Sequence, residues 1–231
     1  MSHTVIITGA SRGIGSEISI ALAKRGHQVI AVARSEHNLQ QLKSRHPSHI
    51  HAYPLDLTDE PEVHKFAAFF RENFKQADIL INNAGSLLNK PFEDLTKSDW
   101  HHMIDSNLLT NVLLTKALLP VFSNQAHIVN ISSMGGFQGS TKFPGLSAYS
   151  VAKGAVSILS ECLAVELADR NIRINALCLG AVQTQMLGQA FPGFKAPVTA
   201  DQMGEYITDF ALNGSAFYNG QVLPVTLADP G

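Results

Sequence analysis

The sequence predicts an α/β fold, a doubly wound parallel sheet of seven strands with helices on both faces, within a single domain over residues 1–231. Three observations support this prediction. Short runs of β-branched residues alternate with longer helical segments along the chain. A glycine-rich loop joins the first of these runs to the first helical segment. No internal repeat, low-complexity segment or linker divides the chain. Such alternation is typical of a parallel sheet covered on both faces.

In the first half of the chain, strands are expected at residues 4–8, 28–33, 50–55 and 78–81. Each is a short, largely apolar run that a turn or loop ends. A helix at residues 16–25 ends at Gly26, a common helix stop. The run Asp59-Glu60-Pro61 predicts the start of a second helix that extends to about residue 74, because proline and acidic residues suit a first helical turn.

In the second half, the expected strands are 127–133, 172–178 and 221–225, and the expected helices are 98–119, 147–168 and 201–212. Pro120 ends the first of these helices, because proline cannot continue the pattern of backbone hydrogen bonds. The stretch that follows Gly180 carries no clear periodicity. We therefore expect an irregular loop at about residues 181–205.

The glycine loop has the spacing Gly9-x-x-x-Gly13-x-Gly15 and lies between a predicted strand and a predicted helix. Backbone N–H groups at a helix start, together with the helix dipole, bind phosphate groups. This context therefore favours a pyrophosphate site over a simple tight turn. The candidate binding residues in the loop are Gly9, Ser11, Arg12, Gly13, Ile14 and Gly15.

The end of the second strand indicates which dinucleotide is bound. Sites for NAD usually place an Asp or Glu about 20 residues beyond the glycine loop, where it binds the ribose hydroxyls. Here Ala33 and Arg34 occupy this place, and Arg12 lies in the glycine loop. Two guanidinium groups suit a 2′-phosphate, which a carboxylate would repel. We therefore predict NADP(H) as the cofactor; the alternative is that Arg34 is a solvated residue at a strand end.

Tyr149 and Lys153 are four residues apart in a predicted helix, so their side chains share one face. An ammonium about 4 Å from a phenol, at an effective dielectric of about 20, favours the phenolate by at most about 4 kcal/mol. Lys153 is therefore expected to lower the pKa of Tyr149 toward the neutral range, which suits a general acid or base. The alternative is a chance pair, since many helices carry Tyr and Lys at this spacing.

The composition excludes several classes of binding partner. Hydrophobic residues make up 45% of the chain and charged residues 16%, as in a core-forming globular protein. A net charge of -2 gives no electrostatic basis for binding nucleic acid or an anionic membrane. The start of the chain lacks a signal-peptide pattern and no apolar run of about 18 residues occurs, so we expect a cytoplasmic protein. Cys162 and Cys178 lack metal-ligand spacing and are interpreted as reduced core thiols, and no metal site is predicted.

Taken together, these motifs resemble the short-chain dehydrogenase/reductase family over essentially the whole chain. The matching segments, in family order, are Thr8-Gly9-Ala10-Ser11-Arg12-Gly13-Ile14-Gly15, Asp56-Leu57-Thr58, Asn82-Asn83-Ala84-Gly85, Asn107, Ser132-Ser133 and Tyr149-Ser150-Val151-Ala152-Lys153. The resemblance implies a Rossmann-type sheet of strand order 3-2-1-4-5-6-7 and NAD(P)-linked oxidoreduction of an alcohol or carbonyl. Among family members, the chain resembles NADP-preferring carbonyl reductases and 3-oxoacyl-carrier-protein reductases.

The resemblance also implies catalytic roles for single residues. Tyr149 resembles the proton donor to the carbonyl oxygen, and Lys153 resembles the group that lowers its pKa and holds the nicotinamide ribose. Ser133 resembles the residue that hydrogen-bonds the substrate oxygen, with Ser132 as the alternative. Asn107 resembles the residue that orders a water beside the lysine, and the alternative is a helix-packing amide.

Further residues are implied in binding the cofactor. Asn82 resembles a residue that braces the sheet beneath it, and Asp56 resembles the adenine contact, although without the family Asp56 indicates a helix cap. The remaining implied contacts are Leu57, Asn83, Ala84, Gly85, Tyr149, Lys153, Gly180, Val182 and Thr184. Two features depart from the family pattern. Leu179 stands where proline is usual, and the substrate loop at about 181–205 is short, which favours an open pocket.

The sequence leaves the identity of the substrate open. Six apolar residues either wall an apolar pocket or form loop core, namely Phe137, Phe143, Leu146, Met186, Phe191 and Phe194. Arg170 and Arg173 fit a surface that docks an acidic carrier protein, or else they are solvated charges at a helix end.

The predicted function is NADPH-dependent reduction of a carbonyl to an alcohol, or the reverse reaction. One alternative is an NADP-binding regulator or sensor without turnover, which would not need Ser133, Tyr149, Lys153 and Asn107 together. Another is an interaction scaffold, which would not need the glycine loop with its arginines.

Self-association is expected as well. The helices that carry Asn107 and Tyr149 have apolar outer faces, which include Val112, Leu113, Ala155 and Leu159. A helix that is apolar nearly all round is buried on more than one side. With a second apolar surface at residues 221–225, the pattern and the family resemblance favour a homodimer or homotetramer. The alternative is a monomer in which loops cover these faces.

Overall fold

Residues 2–227 are described by the structure, which is a computed structural model. The strands in this part are β1 Thr4–Thr8, β2 Gln28–Ala33, β3 Ile50–Pro54, β4 Ala77–Asn82, β5 Phe122–Ser133, β6 Arg173–Leu179, β7 Val182–Gln183, β8 Val198–Thr199 and β9 Val222–Val225. Seven of them form a parallel sheet in the order β3-β2-β1-β4-β5-β6-β9. Because β9 is the seventh strand expected from the sequence, the predicted order is confirmed. Met1 and residues 228–231 of the predicted domain lie outside the described residues.

The α-helices cover both faces of this sheet. Their bounds are α1 Gly13–Lys24, α2 Glu36–Arg45, α3 Glu60–Asn73, α4 Lys97–Ile104, α5 Thr110–Leu118, α6 Ser147–Glu166, α7 Gln185–Ala190 and α8 Ala200–Asn213. One apolar core joins the sheet to α1, α2 and α8. A second core joins the opposite face to α3, α5 and α6. The predicted doubly wound architecture is therefore confirmed.

Strand β1 shows how the sequence produces two cores. Val5 and Ile7 belong to the core beneath α1, α2 and α8. Ile6, which lies between them in the sequence, belongs to the core on the opposite face. Successive side chains on a strand face opposite sides, so a continuously apolar strand is buried on both. This agrees with the position of β1 in the interior of the sheet, between β2 and β4.

Helix α2 is an element that the sequence reasoning missed. Its buried side chains are Leu39 and Leu42, so its helical periodicity is weak. Ser35 caps the helix by accepting a hydrogen bond from the backbone N–H of Asn38. A serine cap followed by Glu36 in the first turn is the signal that could have predicted this helix.

Three further expectations need correction. The segment at 181–205 contains α7, β7, β8 and the start of α8, and Thr184 caps α7 by accepting from the Leu187 N–H. The helix expected at 98–119 is interrupted by a π-helical turn, Asp105–Leu109, which separates α4 from α5. Strand β5 begins at Phe122 rather than at residue 127, although Ser123, Asn124 and Gln125 are polar and lack the strand pattern.

The outer face of α6 carries an apolar stripe, which consists of Val151, Ile158, Cys162 and Val165. Val151, Ile158 and Val165 are 53%, 59% and 78% exposed, and Cys162 is exposed as well. The interpretation of Cys162 as a core thiol is therefore wrong, whereas Cys178 is buried. By length and composition α6 could cross a membrane, but a helix of a protein core meets the same criterion, and α6 packs on β5 and β6.

His127 on β5 is buried beside α8. Its Nδ1 lies 3.0 Å from the carbonyl oxygen of Ala211, and its Nε2 lies 3.1 Å from Nδ2 of Asn175. A neutral imidazole with its proton on Nδ1 satisfies both contacts, because it donates to the carbonyl and accepts from the amide. Burial lowers the pKa of His127 to about 4, so the folded protein disfavours its protonation.

We predict that His127 makes the protein less stable in mild acid, by about 2 kcal/mol between pH 7 and pH 5. An unfolded histidine takes up a proton near pH 6.5, whereas the folded one does so near pH 4. The unfolded state therefore binds more protons between these values, and the free energy of unfolding decreases as the pH falls through them. Urea unfolding at pH 7 and pH 5 measures this change.

The variant His127→Gln removes the titration, so its free energy of unfolding should depend less on pH by the same amount. His37→Gln changes an exposed histidine and serves as the matched control, with the pH dependence of the wild type. If His127→Gln and the wild type lose equal stability between pH 7 and pH 5, the assignment of His127 as buried and neutral is wrong.

Candidate active site

The glycine loop lies at the carboxyl end of β1 and leads directly into α1. Gly9 and Gly13 have φ values of 64° and 57°, in the left-handed region that glycine adopts freely. A Cβ at Gly15 would lie 2.5 Å from the carbonyl oxygen of Gly9, so the loop and the helix start are in close contact. The first N–H groups of α1 lack partners within the helix and form a site for anionic groups.

Thr8 ties the glycine loop to the end of β4, a role that the sequence reasoning missed. Its Oγ1 accepts hydrogen bonds from the backbone N–H groups of Asn83 and Ala84, both at 2.9 Å. Nδ2 of Asn83 donates in turn to the Thr8 carbonyl at 3.0 Å. Beneath this contact, Nδ2 of Asn82 donates to Oδ1 of Asn130 at 2.8 Å and joins β4 to β5. Asn82 therefore lies in the bracing position predicted for it.

A cavity of about 960 Å³ extends over the carboxyl ends of the strands. Nearly all of the predicted cofactor and catalytic residues line it, namely Gly9, Ser11, Arg12, Gly13, Ile14, Arg34, Asp56, Leu57, Asn83, Ala84, Gly85, Asn107, Ser133, Tyr149, Lys153, Gly180, Val182 and Thr184. Gly15 lies behind the loop, where its missing side chain lets Asn83 approach. Residues far apart in the sequence are thus brought to one cavity.

One end of the cavity is cationic. Arg12 and Arg34 line it together with Ala33, Ser35 and Asn38. The side chain of Arg34 is exposed. Arg12 Nη1 donates a hydrogen bond of 3.0 Å to Oε1 of Gln185 at the start of α7. In the described part of the chain, Asp56 is the one carboxylate among the lining residues.

Asp56 is held by the turn that follows β3. Its Oδ1 accepts hydrogen bonds from the backbone N–H and the hydroxyl of Thr58, at 3.0 and 2.8 Å. The bond from the Thr58 backbone is the main cause that holds the pKa of Asp56 below its ordinary value. Asp59, and not Asp56, caps α3 by accepting from the Glu62 N–H. The alternative of Asp56 as a helix cap is therefore wrong.

The opposite end holds the predicted catalytic hydroxyls. Ser133, at the end of β5, is hydrogen-bonded to Tyr149 at the start of α6, and its Oγ also accepts from the Gly135 N–H. Ser132 is buried instead, and its hydroxyl donates to the backbone carbonyl of Lys153 at 2.8 Å. Of the two serines weighed from the sequence, the structure therefore brings Ser133 to the tyrosine.

The expected lowering of the Tyr149 pKa is wrong for this structure. Burial raises the pKa of Tyr149 above 10.0, and the hydrogen bond from Ser133 opposes this only in part. Lys153 Nζ lies 5.9 Å from the centre of the tyrosine ring and donates to the Ile131 carbonyl at 3.0 Å. Burial also lowers the pKa of Lys153, to about 8. Attraction between the two groups favours their charged forms, but the cost of removing both from water outweighs it.

Asn107 lies in the π-helical turn and is fully buried. Its Oδ1 accepts from the backbone N–H of Ser86 at 3.2 Å, and its Nδ2 donates to the carbonyl of Met103 at 3.0 Å. A Cβ at Gly85 would lie 2.6 Å from Asn107 Oδ1 and 3.3 Å from Lys153 Nζ. Asn107 thus has packing bonds and also lies beside Lys153, so both interpretations from the sequence have a structural basis.

Apolar residues surround the catalytic end. Phe143, Leu146, Met186, Phe191 and Phe194 line the cavity, as do Met134 and Leu187, which the sequence reasoning did not include. Among the described residues that line the cavity, Phe137 is missing, so its assignment to the pocket wall is wrong. The sequence reasoning also missed the polar wall residues Ser86, His102 and Ser106.

Leu179 and Arg170, both singled out in the sequence, have defined contacts in the structure. Leu179, in place of the usual proline, is buried in the cavity wall, and Gly180 N–H donates to the Val225 carbonyl at 2.9 Å. The turn after β6 is therefore held by β9. Arg170 Nη2 donates to the carbonyl of Leu119 at 2.6 Å, which favours a helix-end contact over a docking role.

The residues present fit a nicotinamide dinucleotide. The glycine loop keeps side chains away from the start of α1, where a pyrophosphate binds. Asp56 and Leu57, which the resemblance implies for the adenine, and Tyr149 and Lys153, which it implies for the nicotinamide, all line this one cavity. Within residues 2–227, no group of three or more His, Cys, Asp or Glu side chains is arranged to hold a metal ion.

Comparisons with known proteins agree with this geometry. A family model described as short chain dehydrogenase matches residues 3–193, which include the glycine loop and all of the catalytic residues named above. The oxidoreductase BOA17 of Botryotinia fuckeliana is 36% identical over 193 residues, which cover 82% of this chain and 69% of that protein. The uncharacterized oxidoreductase SSP0419 of Staphylococcus saprophyticus is 32% identical over 206 residues, which cover 87% of each chain. The chain therefore belongs to the short chain dehydrogenase family, and it is an oxidoreductase that uses a cofactor of the NAD(P)(H) class.

Proposed function

We propose that the protein is an NADPH-dependent oxidoreductase that reduces a carbonyl to an alcohol, or catalyses the reverse reaction. The observation that carries this proposal is the hydrogen-bonded pair of Ser133 and Tyr149, which lies beside buried Lys153 in one wall of the cavity. A protein that only binds a dinucleotide needs no such pair. When bound, the reduced nicotinamide supplies a hydride to the carbonyl carbon.

Tyr149 acts as the acid in this proposal. Its raised pKa keeps the phenol protonated at neutral pH, so the side chain has a proton to donate to the developing alkoxide. Ser133 donates a second hydrogen bond to the same oxygen. Two donors aimed at one oxygen stabilise its negative charge, and each is typically worth a few kcal/mol.

Lys153 assists the proton transfer from Tyr149. The lysine residue is 5% exposed and its ammonium donates to the Ile131 carbonyl, so α6 and β5 hold it in place. A positive charge near the phenol stabilises the phenolate that remains after proton transfer. The lysine therefore favours the product of the transfer step, while burial keeps the tyrosine protonated before that step.

The cofactor preference follows from the cationic end of the cavity. Arg12 and Arg34 both line it, and Ala33 stands where an acidic residue would bind ribose hydroxyls. Planar guanidinium groups bind phosphate through paired, charge-assisted hydrogen bonds. We therefore propose NADP(H) rather than NAD(H).

Self-association is part of the proposal. The stripe of Val151, Ile158, Cys162 and Val165 is exposed on α6. The residues predicted for the contact, Val112, Leu113, Ala155 and Leu159, are half-buried. An apolar helix face of this kind is typical of a helix that packs against a partner. A second copy of the chain, paired through α5 and α6, is the proposed occupant.

We predict that Tyr149→Phe lowers kcat by about 100-fold or more, while the Kd for NADPH stays near that of the wild type. The ring still packs, but the proton donor is lost. Turnover of an apolar carbonyl followed at the nicotinamide absorbance measures the first quantity, and fluorescence titration measures the second. Tyr53→Phe removes a hydroxyl on the edge strand β3 and is the matched control. A Tyr149→Phe variant that turns over at the wild-type rate would rule out this mechanism.

We predict that NADPH binds more tightly than NADH, and that Arg34→Asp weakens NADPH far more than NADH. The substitution replaces a phosphate-binding cation by an anion that repels the 2′-phosphate. Dissociation constants from fluorescence titration of both cofactors test this. Arg71→Asp, an exposed change on α3, is the control and should alter neither constant. Equal affinities of the wild type for NADPH and NADH would contradict the proposed NADP preference.

We predict that the protein in solution is larger than the 24.9 kDa of one chain. Burial of the α6 stripe in a partner removes several apolar side chains from water. Light scattering at micromolar concentration measures the mass, and Ile158→Glu with Val165→Glu should shift it toward the monomer. Lys24→Glu, an exposed change on α1 on the opposite face of the sheet, is the matched control and should leave the mass unchanged. A wild-type mass of one chain would contradict the proposal.

A further inference from the structure

The two arginines at the cationic end of the cavity differ in how they are held. Arg12 Nη1 donates a hydrogen bond of 3.0 Å to Oε1 of Gln185, the first residue of α7. Arg34 is exposed and has no hydrogen-bond partner within residues 2–227. Both arginines border the main cavity and also a smaller cavity of about 310 Å³ between α7 and the loop after β4. Arg12 is therefore the fixed cation of the pair, and Gln185 is the residue that fixes it.

The start of α7 lies directly against the glycine loop. A Cβ at Gly13 would lie 3.6 Å from Cγ2 of Thr184, which is an ordinary van der Waals distance. Arg12 precedes Gly13, and Gln185 follows Thr184, so this packing brings the two long side chains within reach of each other. Their hydrogen bond joins residues that are 173 positions apart in the sequence. It is therefore a product of the tertiary fold.

Helix α7 is held in place without this contact. At its start, Thr184 Oγ1 accepts a hydrogen bond of 3.2 Å from the Leu187 N–H. At its end, Nδ2 of Asn89 donates to the Ala190 carbonyl at 3.0 Å. The two side chains of the contact with α7 are both exposed, and water competes for such groups, so their bond adds little to the stability of the fold. The bond is therefore better explained by its effect on Arg12 than by its effect on α7.

A glutamine suits this contact because its amide oxygen is a neutral acceptor. The bond uses a donor on Nη1, and within the described chain it is the one hydrogen bond of the Arg12 side chain. The Nε–Nη2 edge of the planar guanidinium is therefore available for a paired bond to phosphate oxygens. A carboxylate in place of the amide would also fix Arg12, but it would offset the positive charge and repel an anion. Gln185 thus orients the guanidinium and leaves its charge for a ligand.

We propose that Gln185 is a positioning residue that increases the preference for NADP(H), because it orients Arg12 for the 2′-phosphate before the cofactor binds. This inference rests on the proposed function, in which Arg12 and Arg34 bind that phosphate. An arginine loses rotamer freedom when it binds an anion, and a side chain that is already held loses less. The advantage applies to NADP(H) alone, since NAD(H) has no 2′-phosphate. Helix α7, whose Met186 and Leu187 line the main cavity, therefore also takes part in the choice of cofactor.

The variant Gln185→Met tests the role of the amide, because methionine keeps a similar length and volume but lacks the oxygen acceptor. Its Kd for NADPH should rise about threefold to tenfold, which is the cost of ordering one long side chain, while its Kd for NADH stays near the wild-type value. Fluorescence titration without substrate measures both constants. Adenosine 2′,5′-bisphosphate carries the 2′-phosphate without the nicotinamide, and calorimetry should show the same loss of affinity for it as for NADPH.

The variant Gln185→Glu tests the need for a neutral acceptor. The carboxylate pairs with Arg12 and repels the 2′-phosphate, so the Kd for NADPH should rise by about tenfold or more at low ionic strength. This loss should become smaller as salt is added, because interactions between exposed charges are screened. NADH should be affected much less. If Gln185→Glu binds NADPH as tightly as the wild type does at low salt, Gln185 does not act through the charge of Arg12.

The matched control is Gln189→Met. Gln189 is an exposed glutamine about one turn further along α7, and it borders the smaller cavity together with both arginines. Its side chain has no hydrogen-bond partner in the part of the chain that the structure describes. Its removal should leave the constants for both cofactors unchanged. If Gln185→Met weakens NADPH and NADH by the same factor, the substitution has disturbed α7 as a whole, and the inference is wrong.

The remaining outcomes separate this inference from the proposed function. If the wild type prefers NADPH and Gln185→Met keeps the full preference, the inference fails and the proposed cofactor preference stands. If the wild type reduces no carbonyl in a broad panel while Gln185→Met narrows the ratio of the two Kd values as expected, the proposed reaction fails and the role of Gln185 stands. Equal affinity of the wild type for NADPH and NADH overturns both the proposed preference and this inference.

Discussion

The burial of the Lys153 ammonium against the end of β5 is the constraint on which the site depends. A cation that is 5% exposed needs a fixed partner, and Lys153 donates to the Ile131 carbonyl. This contact requires α6 to approach β5 closely, and small residues permit it. A Cβ at Gly136 would collide with the backbone of α6 at Gly154, and the Ser132 hydroxyl is bonded to the Lys153 carbonyl. The same approach sets Tyr149, at the first turn of α6, beside Ser133.

This burial also determines the electrostatics of the site. Removal from water lowers the pKa of Lys153 to about 8 and raises that of Tyr149, and each change disfavours the charged form. A tyrosine in that environment is an acid that holds its proton until negative charge develops nearby. Ser133 then has a definite role, because its hydrogen bond favours the phenolate and opposes the effect of burial. The chemistry thus depends on desolvation as much as on the attraction between the lysine and the tyrosine.

Much of the fold was predictable because its signals are local. The seven sheet strands are short apolar runs, and the glycine spacing with its flanking strand and helix indicates a phosphate site. Helix α2 was not predicted because its buried apolar residues are Leu39 and Leu42, which give a weak helical periodicity. The π-helical turn at Asn107 was not predicted because it has no periodic sequence pattern. The identity of most site residues was predictable from the sequence, but their burial and their contacts were not. The choice of Ser133 over Ser132, the exclusion of Phe137 and the direction of the Tyr149 pKa all depend on tertiary packing, which spacing along one helix does not reveal.

The protonation of Tyr149 in the free protein is the quantity on which the account depends most directly. A spectrophotometric pH titration of the wild type, corrected by subtraction of the Tyr149→Phe variant, isolates the ionisation of this side chain from the other three tyrosines. Burial without a directly bonded cation predicts that the midpoint of Tyr149 lies above the ordinary phenol value of 10.0. A midpoint in the neutral range would contradict the account, because it would show that attraction to Lys153 outweighs the loss of hydration.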